Sequence, residues 1–235
     1  MATTTETPAF SRRLREATWA KHQGLDPTSG ESGKPARPGV FDLLFDGGLS
    51  REEYALWHTQ QLFVYRSLEE AARGWEDHEL YGRFVFPEVE RTAALERDAA
   101  HLLGAGWEES LRPIDSVRAY ADRIGNVAAQ WGGGFVAHAY TRYLADLSGG
   151  LVFAKAVAEQ YRFEGPGMDF YRFDGIGTPK EFKDNFRSLL DGAGFDIVEG
   201  DRIIDEVLHA YDLNGAMLDE LADAIHGARG ENGGR

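Results

Sequence analysis

The sequence predicts an all-α fold built as one domain, and three observations carry that expectation. Apolar residues recur every three or four positions through most of the chain, whereas the alternation of a half-buried strand is nearly absent. Short clusters of Gly, Pro and Asp cut the pattern into helix-length pieces. At 235 residues, with no internal repeat and no linker, the chain suits a single core.

The elements follow in order. Residues 1–9 read as a flexible N-terminal tail, 10–226 as the domain and 227–235 as a flexible C-terminal tail. A helix rich in basic residues is predicted over 8–23, followed by a Gly-, Ser- and Pro-rich loop near 30–39. Ser50 with Glu53 forms a capping box, with Leu49 and Tyr54 as its hydrophobic staple. The helix it opens runs to about 73 and places Tyr54, Trp57, Val64, Leu68 and Ala71 on its buried face. Further helices are predicted at about 86–103, 114–130, 135–162, 180–191 and 198–226. "GWEDHEL", "GAGWEE", "QWGGG" and "DGAGFD" punctuate them.

Composition excludes several functions. Twenty-five basic against 39 acidic residues give a net charge of −14, which repels nucleic acid and acidic membrane surfaces. With no cysteine, the chain offers neither disulfides nor thiolate nucleophiles, iron–sulfur ligands or zinc-finger sites. No signal-peptide h-region and no run of about 18 apolar residues is found, so the expectation is a cytoplasmic protein without a membrane anchor.

The stretch "RYLADLSGGLVFAKAV" raises a physical question, because each interior glycine costs a helix about 1 kcal/mol. Val136, Tyr140, Tyr143, Leu147, Leu151 and Ala154 keep one apolar phase through Gly149 and Gly150, so one helix is expected to continue across the pair with a bend. Arg142, Asp146 and Gly149 share a neighbouring face, together with Ala145. The glycines either accept a crossing helix or leave a bare stripe against which a flat ligand lies; spacing alone does not decide between them. Among the seven histidines, His58 and His138 read as packed or hydrogen-bonded, and His78 and His226 as surface residues. His22 differs in having Asp26 four residues on, a carboxylate able to orient a ligating imidazole.

"LREATWAKHQ" (14–23) and "VAHAYTRYLADLSGG" (136–150) resemble the proximal and distal helix signatures of the haem oxygenases. "LFVYRSLEEA" (62–71), "FPEVERTAALERD" (86–98), "FYRF…FKDNFRSLL" (170–190) and "AYDLN" (210–214) resemble further family segments, in the family's order, over about 10–225. The resemblance implies a multihelical bundle that holds haem b, at once cofactor and substrate, between a proximal helix and a kinked distal one. It implies cleavage at the α-meso carbon by O2 and external electrons to biliverdin, ferrous iron and CO.

On the residues that match, His22 is the implied iron ligand, with Asp26 behind it where the family usually carries a glutamate. Asp146 is the implied holder of a proton-donating water, within a network of Arg142, Tyr65, Tyr120 and Asn214. Lys183, Arg187, Tyr140 and Arg15 are the implied anchors of the haem propionates, while Ala145, Gly149 and Gly150 are the implied floor against the ring. Ala145 stands where the family has a glycine, and Trp19 where it commonly has a basic residue. Nothing in the sequence resembles a flavin or nicotinamide fingerprint, so a ferredoxin- or flavodoxin-type donor, fed by its reductase, is implied. Arg12, Arg13, Arg15 and Lys21 are expected to form its docking patch, on a monomer. Two rivals remain: a haem carrier that does not cleave, and a non-haem di-iron oxygenase built on Asp98-x-x-His101 and Glu206-x-x-His209.

Overall fold

The computed structural model describes residues 8–25 and 37–232, excluding the side chains of residues 22–25, 151, 231 and 232. Nine α-helices occur among them, and no strand: α1 (Phe10–Leu25), α2 (Val40–Phe45), α3 (Arg51–Arg73), α4 (Thr92–Leu103), α5 (Trp107–Ser110), α6 (Asp115–Val127), α7 (Gly132–Tyr161), α8 (Pro179–Asp191) and α9 (Ile197–Asn232). Three short 3-10 turns, Tyr81–Phe84, Pro87–Val89 and Asp169–Tyr171, lie between them.

The expected capping box opens α3: the Ser50 hydroxyl accepts from the Glu53 N–H, and the Glu53 carboxylate accepts from the Ser50 N–H. Tyr54, Trp57, Val64, Leu68 and Ala71 are all buried, as the spacing predicts. Burying each of the larger apolar side chains contributes about 1.5–3 kcal/mol. α3 packs on α4, α6 and α7; α7 packs on α9, and α1 lies across α8 and α9. The helix carrying the glycine pair is thus enclosed by its neighbours, while the first helix covers the outside.

Several helix ends are set by partners far away in sequence. Glu69 of α3 accepts from the Arg91 and Thr92 N–H groups at 2.5 and 3.0 Å, so α4 begins at Thr92 rather than near 86. Glu220 of α9 does the same for Asp115 and Ser116 at the start of α6. Each carboxylate satisfies orphan N–H groups and faces the positive end of a helix dipole.

Two expectations are corrected. "QWGGG" does separate two helices, but only through Gln130 and Trp131: Gly132, Gly133 and Gly134 form the first turn of α7. Residues 227–232 are not a tail but the last turns of α9. Arg229 donates to both Glu53 carboxylate oxygens, at 2.7 and 2.6 Å, and to the Gly48 carbonyl, at 2.5 Å. His226, a surface residue as expected, pairs with the Pro38 carbonyl at 2.9 Å.

Candidate functional site

α7 runs unbroken through Gly149 and Gly150. The Ser148 hydroxyl donates to the Leu144 carbonyl one turn back, at 2.7 Å, a bond that tends to bend a helix locally. No crossing helix uses the pair. A methyl group built on Gly149 meets only the Phe153 ring, at 3.4 and 3.7 Å, and one on Gly150 only Tyr171, at 3.9 Å. Both are ordinary contacts, so the bare stripe borders open space.

That space is a cavity of about 270 Å³. Arg142, Ala145, Asp146, Gly149 and Gly150 line it from one side, and Phe41, Trp57, Met217 and Leu218 from others. The face the sequence assigns to α7 is therefore one wall of a largely apolar cavity with a few convergent polar groups.

Asp146 is half-buried at this wall. The Tyr65 hydroxyl donates to its Oδ2, and the Arg142 guanidinium lies over the Tyr65 ring, 5.0 Å from the centroid. Burial pushes the Asp146 carboxyl up, outweighing Arg142, the Tyr65 bond and Arg91, which pull it down. Arg142 is itself buried and donates to Asn214 Oδ1 at 2.7 Å and to Gln61 Oε1 at 2.6 Å. Tyr120 is fully buried, with its hydroxyl pushed up to about 12, chiefly by burial. The Tyr120 hydroxyl and Arg142 Nε have no hydrogen-bond partner. Orphaned polar atoms beside a cavity are where ordered water or a ligand completes a network.

Asp146, Arg142, Tyr65, Tyr120 and Asn214 thus come together from α3, α6, α7 and α9. Sequence reading missed Gln61, which accepts from Arg142. Its signal was present, since Gln61 lies four residues before Tyr65 on the same face of α3.

A second group reaches α7 at Ser148, which also lines the cavity. Lys183 Nζ donates to Ser148 Oγ at 3.2 Å and to the Leu147 carbonyl at 3.4 Å, and burial together with nearby Arg187 lowers its pKa. Tyr140 is half-buried: burial raises its pKa, opposed by Arg187, Thr18 and Arg15 around it. The four expected anchors therefore cluster where α1, α7 and α8 meet. His22 lies on α1, but its side chain is outside the described ones, as is the whole of Asp26.

Three of the four cations expected to form a patch on α1 are paired within the chain. Arg12 pairs with Glu16 at 2.7 Å, Arg13 with Asp201 at 2.5 Å, and Lys21 with Asp212. Two of these three carboxylates come from α9, so Arg13 and Lys21 fasten α1 to the body. The di-iron rival is corrected. Asp98 accepts from buried His58 at 2.9 Å and from the Gly167, Asp169 and Phe170 N–H groups. Glu206 is taken up by Arg123 and His138, and no cluster of three potential metal ligands occurs among the described residues. His58 and His138 are the hydrogen-bonded core histidines the sequence suggested.

The family model described as "Heme oxygenase" matches residues 8–220. The chain belongs to the haem oxygenase family. It is 33% identical to haem oxygenase 2 of Synechocystis sp., over 95% of this chain and 87% of that one. To haem oxygenase 1 of Gallus gallus it is also 33% identical, over 95% and 73%. The crystal structure of Synechocystis haem oxygenase-1 in complex with haem superposes with a TM-score of 0.84 at 30% identity, covering 95% of this chain and 96% of that one. The haem oxygenase of Leptospira interrogans gives 0.80 at 27% identity, covering 91% and 100%. Haem oxygenases are oxidoreductases that open haem to biliverdin, and the all-α architecture here is theirs. Among the described residues, no helix is long and apolar enough to cross a membrane.

Proposed function

We propose that this chain binds haem between α1 and the glycine stripe of α7 and opens it at the α-meso carbon, giving biliverdin, iron and CO. The observation that carries this reading is the stripe itself: Gly149 and Gly150 border a cavity instead of a helix, with Asp146 beside them. The residues present fit a flat, mainly apolar, dianionic ligand. The cavity wall has no side chain at the two glycines, buried polar atoms of its lining residues Trp57, His58, Arg142 and Tyr171 lack partners, and cations gather where α1, α7 and α8 meet.

Haem, when bound, supplies the iron at which dioxygen is reduced and the ring that is cut. The chain's own residues do the rest. His22 would hold the iron from α1, with Asp26 orienting its imidazole. Lys183, Arg187, Tyr140 and Arg15 would take the propionates, fixing the ring's rotation and so the meso carbon presented. Asp146, kept in place by Tyr65 and neighboured by Arg142, would accept from a water and point that water's proton towards the oxygen side. The apolar rings of Phe41 and Trp57 limit bulk water. Electrons would come from a ferredoxin- or flavodoxin-type donor through its reductase, in the cytoplasm.

Haemin titration of Asp146→Asn tests the assignment. Haem affinity should stay within about twofold, while single-turnover biliverdin formation falls by about 10² or more, the usual weight of a positioned proton donor or acceptor. Unaltered turnover would remove Asp146 from the reaction. A wild-type protein that binds haemin but never yields biliverdin with reductant would be a carrier.

A further inference from the structure

Three helices are tied together by one ionic cluster in which Glu206 and His138 are buried and Arg123 reaches the surface. Glu206 of α9 accepts from Arg123 Nε at 3.0 Å and from Arg123 Nη2 at 2.5 Å, both on α6. Its Oε1 also lies 3.0 Å from Nε2 of the fully buried His138, on α7. Each member lies a short helical step from a member of the cavity network: Arg123 three residues after Tyr120, His138 four before Arg142, and Glu206 eight before Asn214. These spacings put the cluster on the same faces of the same helices, one or two turns away.

Three buried polar atoms between the two layers have no partner: His138 Nδ1, the Tyr120 hydroxyl and Arg142 Nε. The Tyr120 and His138 rings are 5.8 Å apart, and Tyr120 and Arg142 face one another electrostatically. Their chemistry fits in one direction only. Glu206 is a carboxylate, so the proton of neutral His138 belongs on Nε2 and Nδ1 is left as an acceptor. The Tyr120 hydroxyl is then the donor towards Nδ1, which leaves its oxygen as the acceptor for the Arg142 Nε–H. That direction would satisfy all three atoms at once through enclosed water.

We infer that Glu206 and His138 are positioning residues for haem cleavage: by fixing the imidazole tautomer, they orient Tyr120 to accept from Arg142 and so hold the guanidinium that neighbours Asp146. The electrostatics agree. Burial lowers the pKa of His138 and outweighs Glu206, with Arg123 and His209 adding to the lowering, so the ring is neutral. Although burial opposes its charge, Glu206 is held at about 2 by His138 and Arg123. The tautomer stands independently of the function proposed above, whereas its effect on turnover rests on that reading.

Nitrogen NMR of the histidine-labelled, haem-free full chain near neutral pH tests the tautomer. His138 should carry its proton on Nε2, and Tyr120→Phe should shift the Nδ1 resonance while leaving Nε2 in place. Glu206→Gln should move the proton to Nδ1, because an amide N–H turned towards Nε2 needs an acceptor there. A wild-type ring protonated on Nδ1, or an Nδ1 resonance that ignores the loss of the Tyr120 hydroxyl, overturns the inference. In the haem-loaded protein, Glu206→Gln should slow single turnover by about tenfold, the weight of one well-placed hydrogen bond, at unchanged haem affinity. A moved proton with an unchanged rate overturns the positioning role, whereas absent biliverdin in the wild type would sink the functional reading and leave the tautomer result standing.

Discussion

The two ends of α7 carry glycines for opposite reasons. At its start, a methyl group on Gly132 would lie 2.1 Å from the Tyr81 ring, one on Gly133 2.6 Å from Glu199, and one on Gly134 2.6 Å from Val127. Tyr81 is packed against Trp75 and donates to Glu199, so moving it aside would break both contacts. Seventeen residues on, at Gly149, the same addition meets one movable ring at ordinary contact distance. The first cluster lets the protein close on itself; the second keeps part of its surface bare. The interior pair carries the full propensity cost of glycine, the first-turn cluster less, and the surroundings tell which need each serves.

Substitution separates the two. Gly132→Ala is expected to have the larger effect on folding, costing about 1–3 kcal/mol by overpacking and lowering the melting temperature accordingly. The folded fraction should still bind haem normally, because the cavity is at the other end of the helix. Gly149→Ala should do the reverse. Thermal unfolding should be unchanged or improved by up to about 1 kcal/mol from helix propensity, while haemin titration shows weakened binding. If Gly149→Ala lost as much stability as Gly132→Ala, the distinction between the two ends would collapse.

A smaller effect comes from the middle of the helix, where Glu206 braces His138. The carboxyl is held at about 2, against a usual value of 4.5. Its contribution to stability is therefore complete above about pH 4.5 and lost as pH falls towards 2. The gap in melting temperature between wild type and Glu206→Gln should narrow over that window, and a gap that widened on acidification would contradict the depressed carboxyl.

The helices were legible because apolar spacing and local caps, as at Ser50 and Glu53, are written in neighbouring residues. What was not legible came from distant ones. The start of α4 depends on Glu69, and the last turns of α9 depend on Arg229 reaching Glu53. Within the site, the wall of α7 could be read in full, since Arg142, Ala145, Asp146 and Gly149 share one helical face. The state of the cations on α1 could not, because Asp201 and Asp212 lie nearly 190 residues away in sequence. Gln61 could be placed on the Tyr65 face of α3 by its spacing, but its partner could not, because Arg142 lies 81 residues away in sequence.

The fastening of α1 has a consequence for how the protein responds to its solution. Among its described side chains only Leu14 and Thr18 are buried, and it is attached to α9 through Arg13–Asp201 and Lys21–Asp212 and to α8 through the bonds of Ser11 to Asp191. Exposed ion pairs weaken as the Debye length shrinks, whereas the apolar packing of α7 does not. Rising ionic strength therefore loosens the helix that bears His22 before it disturbs the glycine helix, leaving one jaw of the clamp adjustable and the other fixed.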